Sequence, residues 1–139
     1  MMLVLEGTRF EERDISLPAD LSRLLEARRF IMRAAADFGF DEAVQAQIKL
    51  AANEAVANAM EHGSPAPQSE IAVRAVEEEA GSLVIYVRDG GSFVPRTQHE
   101  GAMPERGRGL AFMDLLMDEV DVRPGEGGTE VRLVKRLAA

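Results

Sequence analysis

A chain of 139 residues with 46% apolar content is long enough to bury one hydrophobic core, and a single domain over 1–139 is expected. It has no cysteine and only two histidines, His62 and His99, which excludes disulfide scaffolds, thiolate zinc sites, cysteine nucleophiles and multi-histidine metal clusters. Twenty-four acidic residues against sixteen basic ones give a net charge of −8; with one Tyr and no Trp, the chain lacks the positive field and stacking aromatics of a nucleic-acid binder.

The N-terminus, MMLVLEGTRFEERD, turns acidic at once and has no signal-peptide core. No apolar run approaches the ~20 residues of a membrane span, so a cytoplasmic protein without membrane contact is expected. Residues 2–10 predict a short strand. From Ala19 to Phe38, Leu21, Leu24, Leu25, Ile31, Met32, Ala35 and Phe38 recur at three- and four-residue spacing, which predicts an amphipathic helix ended by Gly39. Asp41 is a candidate N-cap for a second helix running to about His62. Its apolar face is Val44, Ile48, Ala51, Ala52, Ala55, Val56 and Ala59, and Gly63 is its stop.

The turn-rich segment 64–69 leads into strands at 70–77 and 82–88, with EEEAG as the hairpin turn between them. Residues 89–109, rich in glycine and poor in apolar residues, predict a long functional loop. A short helix fits 109–118, and strands at 120–123 and 129–137 flank PGEGG. Strand, helix, helix and then mostly strands define an α+β fold, with helices on one face of a largely antiparallel sheet.

Three constellations could carry chemistry. On the second helix, Glu54 and Asn58 are four residues apart and project from one face among alanines. A carboxylate and an amide oxygen at this spacing suit a proton acceptor and a ligand for a hard cation such as Mg²⁺, and also suit a plain solvated face. His62 suits the helix C-terminus, where its charge complements the dipole. At the end of an apolar strand stands Asp89-Gly90-Gly91, which fits either an ordinary turn or a carboxylate that accepts a hydrogen bond from an exocyclic amine such as that of adenine. Gly107-Arg108-Gly109-Leu110 enters a helix, where backbone N–H groups can hold phosphate. Position 112 is Phe, so GxGxxG is incomplete; no P-loop, HRD, DFG or G-x-S-x-G sequence occurs.

Taken in order, helix Glu-x-x-x-Asn, strand-end Asp-x-Gly, glycine-rich loop, Gly-x-Gly-Leu helix and Gly128-Thr129 opening a strand, the chain resembles the GHKL ATPase family. Within that family it is most similar to the bacterial anti-sigma-factor serine kinases and their switch-protein relatives. The resemblance runs from about Leu3 to Leu137 and is strongest in NEAVANAMEHG. It implies a two-layer α/β sandwich of the Bergerat type that uses ATP and Mg²⁺. Asn58 would coordinate Mg²⁺ at the phosphates, and Glu54 would be general base on a substrate hydroxyl. Asp89, with Gly91 beside it, would bind the adenine amine and Thr129 would support Asp89. Gly107, Arg108, Gly109 and Leu110 would lie at the phosphates, with 94–107 as the lid. The family commonly carries D-x-G-x-G; here Ser92-Phe93 follows Gly91, which shortens the entry to the lid.

The resemblance implies a protein-serine kinase that phosphorylates a small STAS-type antagonist, sequesters a sigma factor and pairs as a homodimer. Two alternatives are a nucleotide-dependent binding regulator without kinase activity, to which a base at Glu54 would be superfluous, and a detached sensor-kinase ATPase domain, for which a phosphoacceptor domain is expected and is not seen in the 139 residues.

Overall fold

The computed structural model describes residues 10–62, 69–89, 111–125 and 128–138, with the backbone alone at His62. Its elements are β1 (Arg13–Pro18), a 3₁₀ turn (Leu21–Arg23), α1 (Leu24–Phe38), α2 (Glu42–His62), β2 (Glu70–Glu77), β3 (Ser82–Asp89), the helical residues 111–116, here α3, then β4 (Glu119–Gly125) and β5 (Gly128–Arg136). The five strands form one sheet in the order β1-β2-β3-β5-β4, and every neighbouring pair is antiparallel. The expected α+β class is observed.

Alternation builds the sheet's two faces. In register, Ile71 lies opposite Asp89, Val73 opposite Val87 and Ala75 opposite Ile85. Across the next ladder, Val87 meets Val131 and Ile85 meets Leu133. The apolar members of these rows join Ala27, Ile31, Ala34 and Ala35 of α1 and Ile48, Ala51, Ala52, Ala55, Val56 and Ala59 of α2 in the core. The alanines among these residues let α2 lie close to its neighbours, with Ile48 and Val56 filling the space beside them.

The helix boundaries follow from local chemistry. Asp41 Oδ1 accepts the Val44 N–H at 2.9 Å, so the predicted cap is observed. Gly39 closes α1 at φ +112, where a side chain would be strained, and its N–H returns to the Ala35 and Ala36 carbonyls. Asp20 caps the 3₁₀ turn through the Ser22 N–H at 3.0 Å, so the predicted helix from Ala19 is regular only from Leu24. Leu21, Leu25 and Met32 were expected on the apolar face and are 46%, 47% and 38% exposed.

The predicted strand at 2–10 lies outside the described residues except for Phe10, which is not in a strand. The first described strand is β1, which the sequence reading missed. Its RDISLP has one alternation cycle, and Pro18 reads as a helix entry rather than a strand end. β4 extends past the predicted 120–123 to include Pro124, which an edge strand tolerates because its missing N–H faces away from the ladder.

The other face of the sheet carries ion pairs around the buried, cross-strand pair Val84 and Val134. Arg132 pairs with Glu78 at 2.9 Å and Glu119 at 3.3 Å, and Arg136 also pairs with Glu119. The Tyr86 hydroxyl donates to Glu78, and the Arg74 guanidinium sits 4.9 Å from the Tyr86 ring centre.

Candidate functional site

α2 presents two different sides. Ala51, Ala52, Ala55, Val56 and Ala59 are buried, while Asn53, Glu54, Ala57 and Asn58 are half-exposed along the edge turned from the sheet. Glu54 and Asn58 therefore share an accessible edge one turn apart, as their spacing predicts. Ala57 between them leaves room for a ligand to approach. The Arg28 Nε of α1 donates to Asn53 Oδ1 at 3.3 Å and ties α1 to the turn that carries Glu54.

β3, on which α2 packs, ends in Asp89, which is 2% exposed. A carboxylate this buried is costly unless hydrogen-bonded. The Thr129 N–H at the start of β5 supplies one such bond, donating to Asp89 Oδ1 at 3.3 Å across 40 residues of sequence. Thr129 is 7% exposed, and its hydroxyl has no hydrogen-bond partner among the described residues. An orphaned buried hydroxyl beside a buried carboxylate loses the cost of its desolvation when a polar ligand group pairs with it. This sheet end therefore fits a ligand that offers both a donor and an acceptor, as the amine edge of adenine does.

Gly128 completes the arrangement. Its φ is +136, and a Cβ there would stand 2.2 Å from the Asp89 carbonyl oxygen and 2.6 Å from Oδ1. The sequence reading took Gly128 only as a strand opening. Its glycine was visible, but its position against Asp89 is a tertiary fact.

Among the described residues no group of three or more His, Asp or Glu side chains could hold a metal ion. Mg²⁺ needs no such cage, since it keeps several waters and takes oxygen from phosphates and one or two protein groups. The Asn58 amide oxygen fits that chemistry. The structure thus brings Asp89 and Thr129 together and sets Glu54 and Asn58 on one helix edge. Gly91, Gly107, Arg108, Gly109, Leu110 and the lid segment 94–107 lie outside the described residues. No helix among the described residues is long and apolar enough to cross a membrane.

A two-layer sandwich with these features is that of the histidine kinase-like ATPases. The profile of the histidine kinase-like ATPase domain matches residues 17–135, and the chain belongs to that family. Serine-protein kinase RsbW of Bacillus pumilus (strain SAFR-032) is 34% identical, over 59% of this chain and 59% of that protein. The crystal structure of the RsbU and RsbW domains of Rv1364c from Mycobacterium tuberculosis is similar, with a TM-score of 0.72 and 27% identity over 93% of this chain. The chain spans 59% of the first relative and 33% of the second. The histidine kinase domain of the blue-light activated histidine kinase from Erythrobacter litoralis EL346 shares the fold, with a TM-score of 0.58 at 20% identity over 86% of this chain and 61% of that one.

Proposed function

We propose that this chain is an ATP-dependent protein-serine kinase of a partner-switching system, acting as one domain in the cytoplasm. The observation that carries the proposal is the Glu54–Asn58 edge on α2, in a family member similar to a serine-protein kinase. Asn58 is the residue that would hold Mg²⁺. Asp89, with Gly91 beside it and Thr129 behind it, would take the adenine amine. Gly107, Arg108, Gly109 and Leu110 would take the phosphates. Bound Mg·ATP would supply the phosphoryl group and neutralise its charge, which is most of what phosphoryl transfer requires. Glu54 would orient the partner's serine hydroxyl and accept its proton.

The protein substrate in this proposal is a small STAS-type, anti-anti-sigma-like antagonist, and a sigma factor is the second partner. Exposed Leu25 and Met32 of α1 and Leu21 of the turn before it support a homodimer, since exposed apolar side chains favour a covered surface. The competing function is a nucleotide-dependent binding regulator without transfer activity.

Paired variants separate the two. Glu54→Gln keeps the size and one acceptor but loses the basic carboxylate. It is expected to bind Mg·ATP and the antagonist normally while single-turnover phosphorylation falls about 10²–10⁴-fold. Asp89→Asn is expected to lose ATP affinity instead, because its amide presents a donor to the adenine amine. Transfer by Glu54→Gln at the parent rate would remove the base, and absence of any transfer by the parent would favour the binding regulator.

A further inference from the structure

We propose that Gly128 determines the purine selectivity of the nucleotide site by allowing β5 to clasp Asp89; this rests on the nucleotide-binding proposal above. A Cβ at position 128 would lie 2.2 Å from the Asp89 carbonyl oxygen, 2.6 Å from Oδ1 and 3.3 Å from the carbonyl carbon. The nearest of these is the backbone carbonyl oxygen at the end of a central strand, so rotating the Asp89 side chain away from its own 2.6 Å contact does not relieve the overlap. φ of +136 adds a second requirement for glycine. The demand is local: at Gly125, paired with Gly128 across the same turn, a Cβ would meet only the Gly128 carbonyl oxygen at an ordinary 3.6 Å.

The close approach has a chemical consequence. It brings the Thr129 N–H to 3.3 Å from Asp89 Oδ1, while the Arg88↔Glu130 and Val87↔Val131 pairs fix the strands behind it. A backbone donor on one oxygen fixes the rotation of the carboxylate, whose oxygens are hydrogen-bond acceptors. Such a carboxylate accepts from the 6-amino group of adenine and repels the 6-oxo group of guanine. The orphaned Thr129 hydroxyl, buried at the same sheet end, is a further group for the base edge to satisfy. A side chain at 128 must push β5 away from Asp89 and part this clasp. Discrimination between the two purines then falls by about ten- to hundredfold, the worth of one charge-assisted hydrogen bond.

The test uses the full chain with Mg²⁺ and calorimetric affinities for ATP and GTP, on the parent, Gly128→Ala and Gly125→Ala. The expected result is a parent that prefers ATP, a Gly128→Ala variant whose ATP affinity drops while GTP affinity stays within about threefold, and a Gly125→Ala variant at the parent ratio. A parent that binds neither nucleotide overturns the nucleotide-site proposal itself. A parent that prefers ATP together with a Gly128→Ala variant that keeps the preference, or a Gly125→Ala variant that loses it equally, overturns only the role of Gly128. Should Gly128→Ala fail to fold by circular dichroism, amide spectra of the parent decide. The Thr129 N–H resonance is expected to move on adding ATP and not on adding GTP; an equal response to both, or to neither, overturns the clasp.

Discussion

Asn58 stands on the half-exposed edge of α2 with its amide one turn beyond the Glu54 carboxylate. If that amide oxygen holds Mg²⁺, Asn58→Ala removes the ligand and nothing else, because alanine is the stronger helix former. The expected outcome is loss of Mg²⁺-dependent ATP binding in calorimetry, with helical circular dichroism unchanged. Equal ATP affinity with and without the substitution would remove the metal role. This pair was legible in the sequence because a spacing of four is one helical turn wherever the helix sits. The Thr129–Asp89 hydrogen bond was expected from family resemblance alone; no local pattern announces a contact across 40 residues.

At the scale of elements, the open face of the sheet holds its own electrostatic network. The Tyr86 hydroxyl, and after it Arg132, hold the Glu78 carboxyl below its ordinary value of 4.5, and Arg136 with Arg132 does the same for Glu119. Carboxylates lowered in the folded state add stability above their unfolded pKa and lose it as pH falls through the folded one. Urea denaturation midpoints are therefore expected to be flat from pH 7 to 5 and to fall below about pH 4.5. Glu78→Gln should flatten that fall and lower the stability at pH 7 by about 0.2–1 kcal/mol, the range of solvated pairs. An identical acid limb in both proteins would show that the network contributes nothing. The strands that carry this face were legible from alternation in β2 and β3. β1 was not, because an edge strand of six residues ending in Pro offers too short a period to distinguish from a connector.

For the whole molecule, the expected homodimer concerns the outer side of α1. Leu25 and Met32 are exposed there, Leu21 is exposed in the 3₁₀ turn before it, and Leu50 of α2 is 46% exposed as well. Light scattering at micromolar concentration should give about twice the 15.2 kDa of one chain. A mass near that of one chain would make these side chains an uncovered surface of a monomer. Helical periodicity identified the apolar positions of α1, but not which of them face the core. A helix flanked by a second helix and a sheet buries Ala27, Ile31, Ala34 and Ala35, and that stripe is set by where its neighbours lie.

The sequence by itself determined the two long helices, their caps at Asp41 and Gly39, the β2–β3 hairpin and the order of the polar motifs. All of these depend on periods and hydrogen bonds within a few residues. Only the tertiary structure decided that β5 lies between β3 and β4, that Asp89 is buried, and that Gly128 and Thr129 close on it. The physical reason is the range of the interaction. Periodicity says which face of an element is apolar, whereas strand order and a backbone approach that no Cβ permits arise only when segments far apart in the chain are packed together.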